Sequence, residues 1–390
     1  MSHPAAGLLG PRERLVAGVM SGTSLDGADA AIVRLSGSGR NVQIETLGFV
    51  SRPYTSDLRE RLAAQVEATS SDVRGLALVH AAMAETWAEV VREALAEAGM
   101  DASNLDLVGS HGQTVHHVPE PVSVAGRPVR ATLQLGDPSR LAARLGVPVI
   151  ADFRSFDVAL GGQGAPLAPY LDDCLFAHET ETRGLLNLGG IANLTVLPAG
   201  GGPKTARAFD TGPANMVADA LALRFTGEPF DRDGALASRG TPDLAFVRRL
   251  LQADVFRQPP PKSTGREAFG HDFVDRFIAD GPAEAADLVA SAVALTALSI
   301  ADAIERFVPE RLDRVIASGG GVRNPALMGA LSGSLGVPVE TTAAYGLDPD
   351  AKEAVLFALL AHEWANGVRT GLPSVTGASR SAMQGALYLP

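Results

Sequence analysis

Apolar residues along the chain follow two rhythms. Short runs close on glycine, and longer stretches space their apolar side chains by threes and fours. Leu15 to Met20 is a short run ending at Ser21-Gly22-Thr23-Ser24-Leu25-Asp26-Gly27, and Ala30 to Val33 resumes it. This predicts strand, glycine-rich turn, strand. Residues 57–69 and 74–98, rich in Ala, Leu, Glu and Arg, predict two helices. Leu105 to Gly109 predicts a strand with Ser110-His111-Gly112-Gln113-Thr114 at its exit, and Ser139 to Leu145 predicts a helix. Val147 to Ile150 predicts a buried strand that leaves into Asp152-Phe153-Arg154.

The pattern then restarts. Gly184 to Leu197 is again strand, turn and strand, with Gly189-Gly190 at the turn. Ala206 to Phe209 predicts a strand running into Asp210-Thr211-Gly212-Pro213, and a helix from Ala214 to Arg224 follows, with Pro213 suited to its first turn. Residues 284–306 predict an apolar, small-residue helix. Val315 to Ala317 predicts a strand entering Ser318-Gly319-Gly320-Gly321, and Pro325 to Leu331 a short helix. Asp350 to Ala365 is apolar on most faces, which predicts a helix buried between layers. Alternating strands and helices imply an α/β fold. The restart implies a duplication, two similar lobes around a cleft.

At 390 residues the chain is long enough for two or three domains. Its one cysteine, Cys174, excludes a disulfide framework and Cys-based metal sites. A net charge of −11 argues against nucleic acid or an anionic membrane as partner, and an anionic substrate would need local donors. The longest charge-free apolar stretch, Leu288 to Ala301, falls short of a membrane span. A cytoplasmic protein is expected.

Glycines at three strand ends let backbone N–H groups approach an anion. Thr23, Ser24 and Asp26 beside Gly22 and Gly27 suit phosphate with Mg²⁺. The P-loop and protein-kinase motifs are absent, and a second strand stands where a dinucleotide fingerprint needs a helix. Asp210 reads equally as a catalytic carboxylate and as a helix N-cap. Asp152 with Arg154 reads as a site pair or a surface ion pair, and Asp231-Arg232-Asp233-Gly234 as a site or a structural turn. His111, His116 and His117 lack metal-ligand spacing. His111 reads better as a substrate contact, and Gln163, on a flexible loop in Gly161-Gly162-Gln163-Gly164-Ala165-Pro166, as a sugar or amide reader.

Taken together, Met20 to Gly27, Ser110 to Thr114, Asp152-Phe153-Arg154, Gly161 to Pro166, Asn187-Leu188-Gly189-Gly190, Phe209 to Pro213, Phe230 to Gly234, Pro261-Lys262-Ser263-Thr264-Gly265-Arg266-Glu267 and Gly319 to Gly321 resemble the anhydro-N-acetylmuramic acid kinases in order and spacing. That resemblance implies two duplicated ribonuclease H-like lobes of the actin/hexokinase/Hsp70 type with an interlobe active-site cleft. It implies lobes of residues 1–158 plus 375–390 and 159–374. It also implies ATP, Mg²⁺ and a homodimer. Water would open the 1,6-anhydro bridge at C1 while O6 takes the γ-phosphate. The family's base aligns with Asp210. ATP would meet Gly22, Thr23, Ser24, Leu25, Asp26, Gly27, Ala28, Asp29, Asn187, Gly189, Gly190, Gly319, Gly320 and Gly321, with Asp26 toward Mg²⁺. His111, Gln113, Arg154 and Gln163 would contact the sugar, Arg154 its lactyl carboxylate. Met1 to Arg12 lies outside the resemblance, and Pro119 to Arg130 reads as a longer loop of unassigned role. The rivals are the same fold acting on levoglucosan or a plain hexose, and a binding module of the Hsp70 or actin type.

Overall fold

Both strand–turn–strand repeats open a mixed sheet in the computed structural model, which describes residues 7–22, 25–66, 72–260, 262 and 264–390. The chain divides into two units, Met1–Leu175 with Ala351–Pro390, and Phe176–Asp350. The first begins with an antiparallel meander of β1 (Arg14–Ser21), β2 (Gly27–Ser36) and β3 (Gln43–Pro53). Helices α1 (Ser56–Val66) and α2 (Val73–Glu97) lead to β4 (Leu107–Val124), parallel to β1, and β5 (Arg127–Leu135) folds back on it. After α3 (Pro138–Leu145), β6 (Val149–Ala151) runs parallel to β4, and α4 (Ser155–Ala159) and α5 (Ala168–Phe176) follow.

The second unit repeats the scheme. Strands β7 (Arg183–Leu188), β8 (Ile191–Leu197) and β9 (Arg207–Pro213) form the meander. Beyond α6 (Asn215–Thr226) and α7 (Ala285–Phe307), β10 (Arg314–Ser318) lies parallel to β7. Beyond α8 (Pro325–Leu335), β11 (Val339–Thr341) lies parallel to β10. The chain re-enters the first unit through α9 (Lys352–Ala365) and β12 (Ala386–Tyr388), which pairs antiparallel with β6. The strand orders β3-β2-β1-β4-β6 and β9-β8-β7-β10-β11 are one ribonuclease H-like topology used twice.

Alternate residues of a strand face opposite sides, and the first sheet uses both. Ala17, Val19 and Ile32 enter a core with Met83, Trp87 and Val91 of α2. Gly18 and Gly109, partners in register, face the other way, toward α9. A Cβ at Gly18 would lie 1.8 Å from the Ala354 carbonyl oxygen, and one at Gly109 2.0 Å from that of Phe357. Glycine here is what lets the helix backbone lie on the sheet. In the second unit α7 is the core helix. Its length and composition would allow a membrane crossing, against the shortfall expected of Leu288 to Ala301, but 72% of its apolar window is buried inside the protein.

Several expectations need correction. The units divide at Leu175 and Asp350, not after residues 158 and 374. The reason is that α5 is held in the first unit by side-chain pairs: Asp172 with Lys352 of α9 at 2.6 Å, Asp173 with Arg40 at 2.6 Å, and the Tyr170 hydroxyl donating to Glu363 at 2.9 Å. The strand expected over Leu105 to Gly109 continues to Val124, and Pro119 to Arg130 is the end of a hairpin, not a loop. Pro119 and Pro121 are tolerated because pairing slips between Val118 and Val122, and Pro128 because β5 pairs with β4 alone. Pro213 closes β9; α6 starts at Asn215 with Ala214 as its N-cap.

Candidate active site

In the first unit the β1–β2 turn is braced from below. Trp87 Nε1 donates to the Tyr54 hydroxyl at 3.0 Å, which lies 2.6 Å from Ser21 Oγ. Ser21 Oγ donates to Gln113 Oε1 at 2.5 Å, and Gln113 Nε2 donates to the Gly22 carbonyl at 3.1 Å. Burial pushes the Tyr54 hydroxyl up to about 12, so it keeps its proton and the relay runs one way. Gln113 is fully buried and commits both ends of its amide inside the protein. In the structure it supports the turn. Leu25 adopts φ +59 and Ala28 is fully buried, so both side chains serve the core. A Cβ at Gly27 would lie 2.5 Å from the Arg52 carbonyl oxygen. Asp26 is exposed and its carbonyl accepts from Tyr54 N–H at 2.9 Å; Asp29 is half-buried. Thr23 and Ser24 lie outside the described residues.

Further along the same unit, Arg154 Nε donates to His111 Nε2 at 2.9 Å and Arg154 Nη1 to the Gly164 carbonyl at 2.7 Å. Arg154 therefore forms no simple pair with Asp152, which accepts from Ser155 N–H at 3.3 Å. The His111 ring stacks on Phe357 with centroids 4.6 Å apart. Burial, then the Arg154 charge, holds His111 well below the ordinary imidazole range, so it is neutral. Burial draws the Arg154 guanidinium down to about 10, which leaves it charged at neutral pH, with Glu353 and Asp157 opposing. The loop carrying Gln163 is not loose. Gly164 N–H donates to Asp157 at 2.8 Å, Gln163 N–H to the Thr376 carbonyl at 2.8 Å, and Thr376 Oγ1 to Asp157 at 2.8 Å. The Gln163 side chain stays half-buried on this pinned frame.

In the second unit Asp210 sits within β9, opposite Asn193 of β8, and is no helix cap. Asn193 Nδ2 donates to Asp210 Oδ1 at 2.8 Å, and Thr264 N–H to Oδ2 at 2.8 Å. Asp210 N–H in turn donates to the Lys262 carbonyl at 3.2 Å. Lys262 is buried, its ammonium on the carbonyls of Val255 and Phe256 at 3.2 and 3.4 Å; burial lowers its pKa and Asp210 opposes this. The segment around Lys262 is thus the holder of Asp210. Pro261 and Ser263 lie outside the described residues.

The glycine turns of this unit meet. The Gly189 carbonyl accepts from Asn215 N–H at 3.0 Å and the Gly190 carbonyl from Ala214 N–H at 2.9 Å. In a planar trans peptide this points the Gly190 N–H away from α6. Gly319 has φ +82, and a Cβ there would lie 2.7 Å from Asn187 Oδ1; one at Gly321 would lie 2.6 Å from Leu188 Cβ. Gly320 faces open space. The turn at Gly319 to Gly321 therefore lies against Asn187 and Leu188, next to Gly189-Gly190. Asp231 instead caps a turn, accepting from Leu236 and Ala237 N–H at 2.7 and 2.9 Å.

Sequence reasoning missed Asn193, Thr264 and Glu353. Only strand register reveals the first and only chain folding the second. Glu353, at the start of α9, carried a faint signal as a carboxylate opening an apolar helix. Burial raises its carboxyl, and Lys352, then Arg154, opposes the shift. Among the described residues no group of three or more His, Cys, Asp or Glu is placed to hold a metal.

Residues 14–390 match the family described as anhydro-N-acetylmuramic acid kinase. A relative of that name from Salinibacter ruber (strain DSM 13855 / M31) is 52% identical over 383 residues, 97% of this chain and 96% of its own. Another from Caldanaerobacter subterraneus subsp. tengcongensis is 41% identical over 385 residues, 97% of each. Among solved structures, (R)-2-hydroxyglutaryl-CoA dehydratase component A of Acidaminococcus fermentans is similar at a TM-score of 0.48 and 12% identity, covering 90% of this chain and 99% of its own.

Proposed function

We propose, from the premise that the chain belongs to the anhydro-N-acetylmuramic acid kinase family, that Asp210 is the base of the reaction. The protein is an ATP-dependent kinase of 1,6-anhydro-N-acetylmuramic acid, acting in peptidoglycan recycling. Water bonds to C1, the C1–O6 bond breaks, and O6 takes the γ-phosphoryl group, giving N-acetylmuramic acid 6-phosphate and ADP. Asp210 takes the proton that water loses. Attack at an anomeric carbon passes through an oxocarbenium-like state, which suits a carboxylate base. A second carboxylic acid is unnecessary because phosphorus captures the departing oxygen.

The observation that carries this reading is the grip on Asp210, with one donor on each oxygen at 2.8 Å. Two donors orient the carboxylate. Arg154 supplies local positive charge for an anionic sugar in a chain of net charge −11, and the neutral His111 holds its guanidinium through Nε2. Gln163 joins them. Phosphates are received by backbone N–H groups of the turns at Gly22–Asp29 and Asn187–Gly190, and Gly319–Gly321 lies against the adenosine. Asp26 fits Mg²⁺ as a single exposed carboxylate, since Mg²⁺ takes one or two carboxylates with phosphate oxygens and water. There the ion would neutralise charge developing on the transferred group. A cytoplasmic homodimer is the assembly we propose, supported by the family and by its need for ATP.

The test is incubation of the full chain with Mg-ATP and a panel of anhydro and free sugars, levoglucosan included, in ¹⁸O water. Label at C1 with phosphate on O6 of the muramic sugar is expected. Phosphate reaching only ring-opened sugars would overturn the coupled reaction.

A further inference from the structure

His116 and His117 are adjacent in sequence, and the chemistry above uses neither. Strand pairing separates them. Thr114 of β4 lies opposite Gln134 of β5, but the register then shifts, so that His116 faces Leu133 and His117 faces Thr132. Regular alternation would put His116 on the face of Thr114; the bulge gives that place to His117. Exposure agrees. His116, Ala131 and Leu133 are exposed, whereas Thr114, His117, Thr132 and Gln134 are half-buried.

Those four side chains are joined. Gln134 Nε2 donates to Thr114 Oγ1 at 3.2 Å and to Thr132 Oγ1 at 2.7 Å, and Thr132 Oγ1 lies 3.1 Å from His117 Nδ1. A hydroxyl has one proton to give. In the tautomer that this reading assigns, Thr132, accepting from Gln134, gives it to His117 Nδ1 and the ring hydrogen stands on Nε2. Nε2 has no hydrogen-bond partner among the described residues.

The ladder lies beside Arg154. Helix α4, whose N-cap is Arg154, packs on β5. Burial, then the Arg154 charge, keeps the His117 ring below its ordinary range and hence neutral. Arg154 spends Nε and Nη1 on His111 and Gly164, leaving Nη2 without a partner among the described residues. A guanidinium would repel a second cation next to it but tolerates a neutral N–H donor. Such a combination suits a carboxylate, one oxygen for each donor.

We infer that the Thr114–Gln134–Thr132–His117 ladder is the subsite for the carboxylate-bearing substituent of the sugar, with His117 Nε2 donating to one oxygen beside Arg154. This rests on the substrate assigned above. Thr132 acts through His117 as a positioning residue.

The test compares 1,6-anhydro-N-acetylmuramic acid with 1,6-anhydro-N-acetylglucosamine, which lacks the carboxylate, as substrate or competitive inhibitor of the full chain. Losing a hydrogen bond to a charged group, His117→Ala should raise KM for the muramic sugar about tenfold or more, with kcat within about threefold and KM or Ki for the glucosamine sugar within about twofold. His117→Gln, which keeps a donor, should restore most of the loss, and His116→Ala should change nothing. Thr132→Val, which keeps the shape and removes the proton, should give a smaller loss with the same selectivity and provides the test if His117→Ala does not fold. Equal losses on both sugars, or no loss in His117→Ala and Thr132→Val, would overturn the subsite. A native protein unable to phosphorylate the muramic sugar would overturn the proposed function instead.

Discussion

Replacing Asp210 by Asn keeps the side chain's shape and removes its charge. The native carboxylate accepts from Asn193 Nδ2 and from Thr264 N–H, each at 2.8 Å. An amide at 210 can keep its oxygen on the backbone donor, but its NH₂ then meets the NH₂ of Asn193. Turning the Asn193 amide over removes the conflict, because its other end is an acceptor. The fold therefore loses the difference between a charged and a neutral hydrogen bond, about 1 kcal/mol. Turnover should suffer far more. Loss of a general base costs roughly 10²–10⁴-fold, or about 2.7–5.5 kcal/mol of barrier. Three measurements separate the effects: ADP release at saturating substrates, ATP affinity by calorimetry, and unfolding in urea. We expect kcat to fall by that factor, ATP affinity to hold within about twofold, and stability to hold within about 1 kcal/mol. Turnover within about tenfold of native would refute Asp210 as base. Equal loss of ATP affinity would show that the residue serves the nucleotide instead.

Other substitutions test the supports. Gly18→Ala forces a Cβ to 1.8 Å from the Ala354 carbonyl oxygen, and backbone cannot yield as a side chain can. It should cost about 3 kcal/mol or prevent folding, read by urea denaturation; a native-like midpoint would contradict the contact of α9 with the sheet. Gln113→Ala leaves the Gly22 carbonyl without its donor at 3.1 Å. KM for ATP should rise about tenfold with the sugar KM little changed; the reverse would return Gln113 to the sugar. Glu363 accepts from Gly39 N–H at 2.6 Å and from Tyr170, and burial raises its carboxyl above the ordinary 4.5. A raised pKa in the folded state means that the group costs stability as pH climbs from the unfolded value through the folded one, and nothing below. Glu363→Gln should thus raise the urea midpoint near pH 8 and leave it unchanged near about pH 4. An equal gain at both would exclude charge burial as the cause.

The meander strands and long helices were legible because their periodicities are local. Strand β3 was not, since its half-buried face shows no run of apolar residues. The outer β4–β5 hairpin was hidden by Pro119, Pro121 and Pro128, which resemble a loop until the slipped pairing is seen. At the site, Asp210 could be named from its motif, but its holders could not. Asn193 reaches it by cross-strand register, and Thr264 by a chain that returns 54 residues later. The direction of the Gln113 amide was hidden for a related reason. Its motif marks the neighbourhood, while its direction depends on which neighbouring atoms are already satisfied.

By itself the sequence determined the α/β class, the repeated strand–turn–strand opening, the kinase family and the residue types of the chemistry. These depend on short-range pattern and on motifs readable as text. Tertiary structure alone decided where the units divide, because buried pairs such as Lys352 with Asp172 tie α5 and α9 together across the sequence. It alone decided which face each histidine takes, because one residue of register shift reverses a strand's alternation. Position along a chain records neighbours in sequence, whereas hydrogen-bond direction and burial are set by neighbours in space.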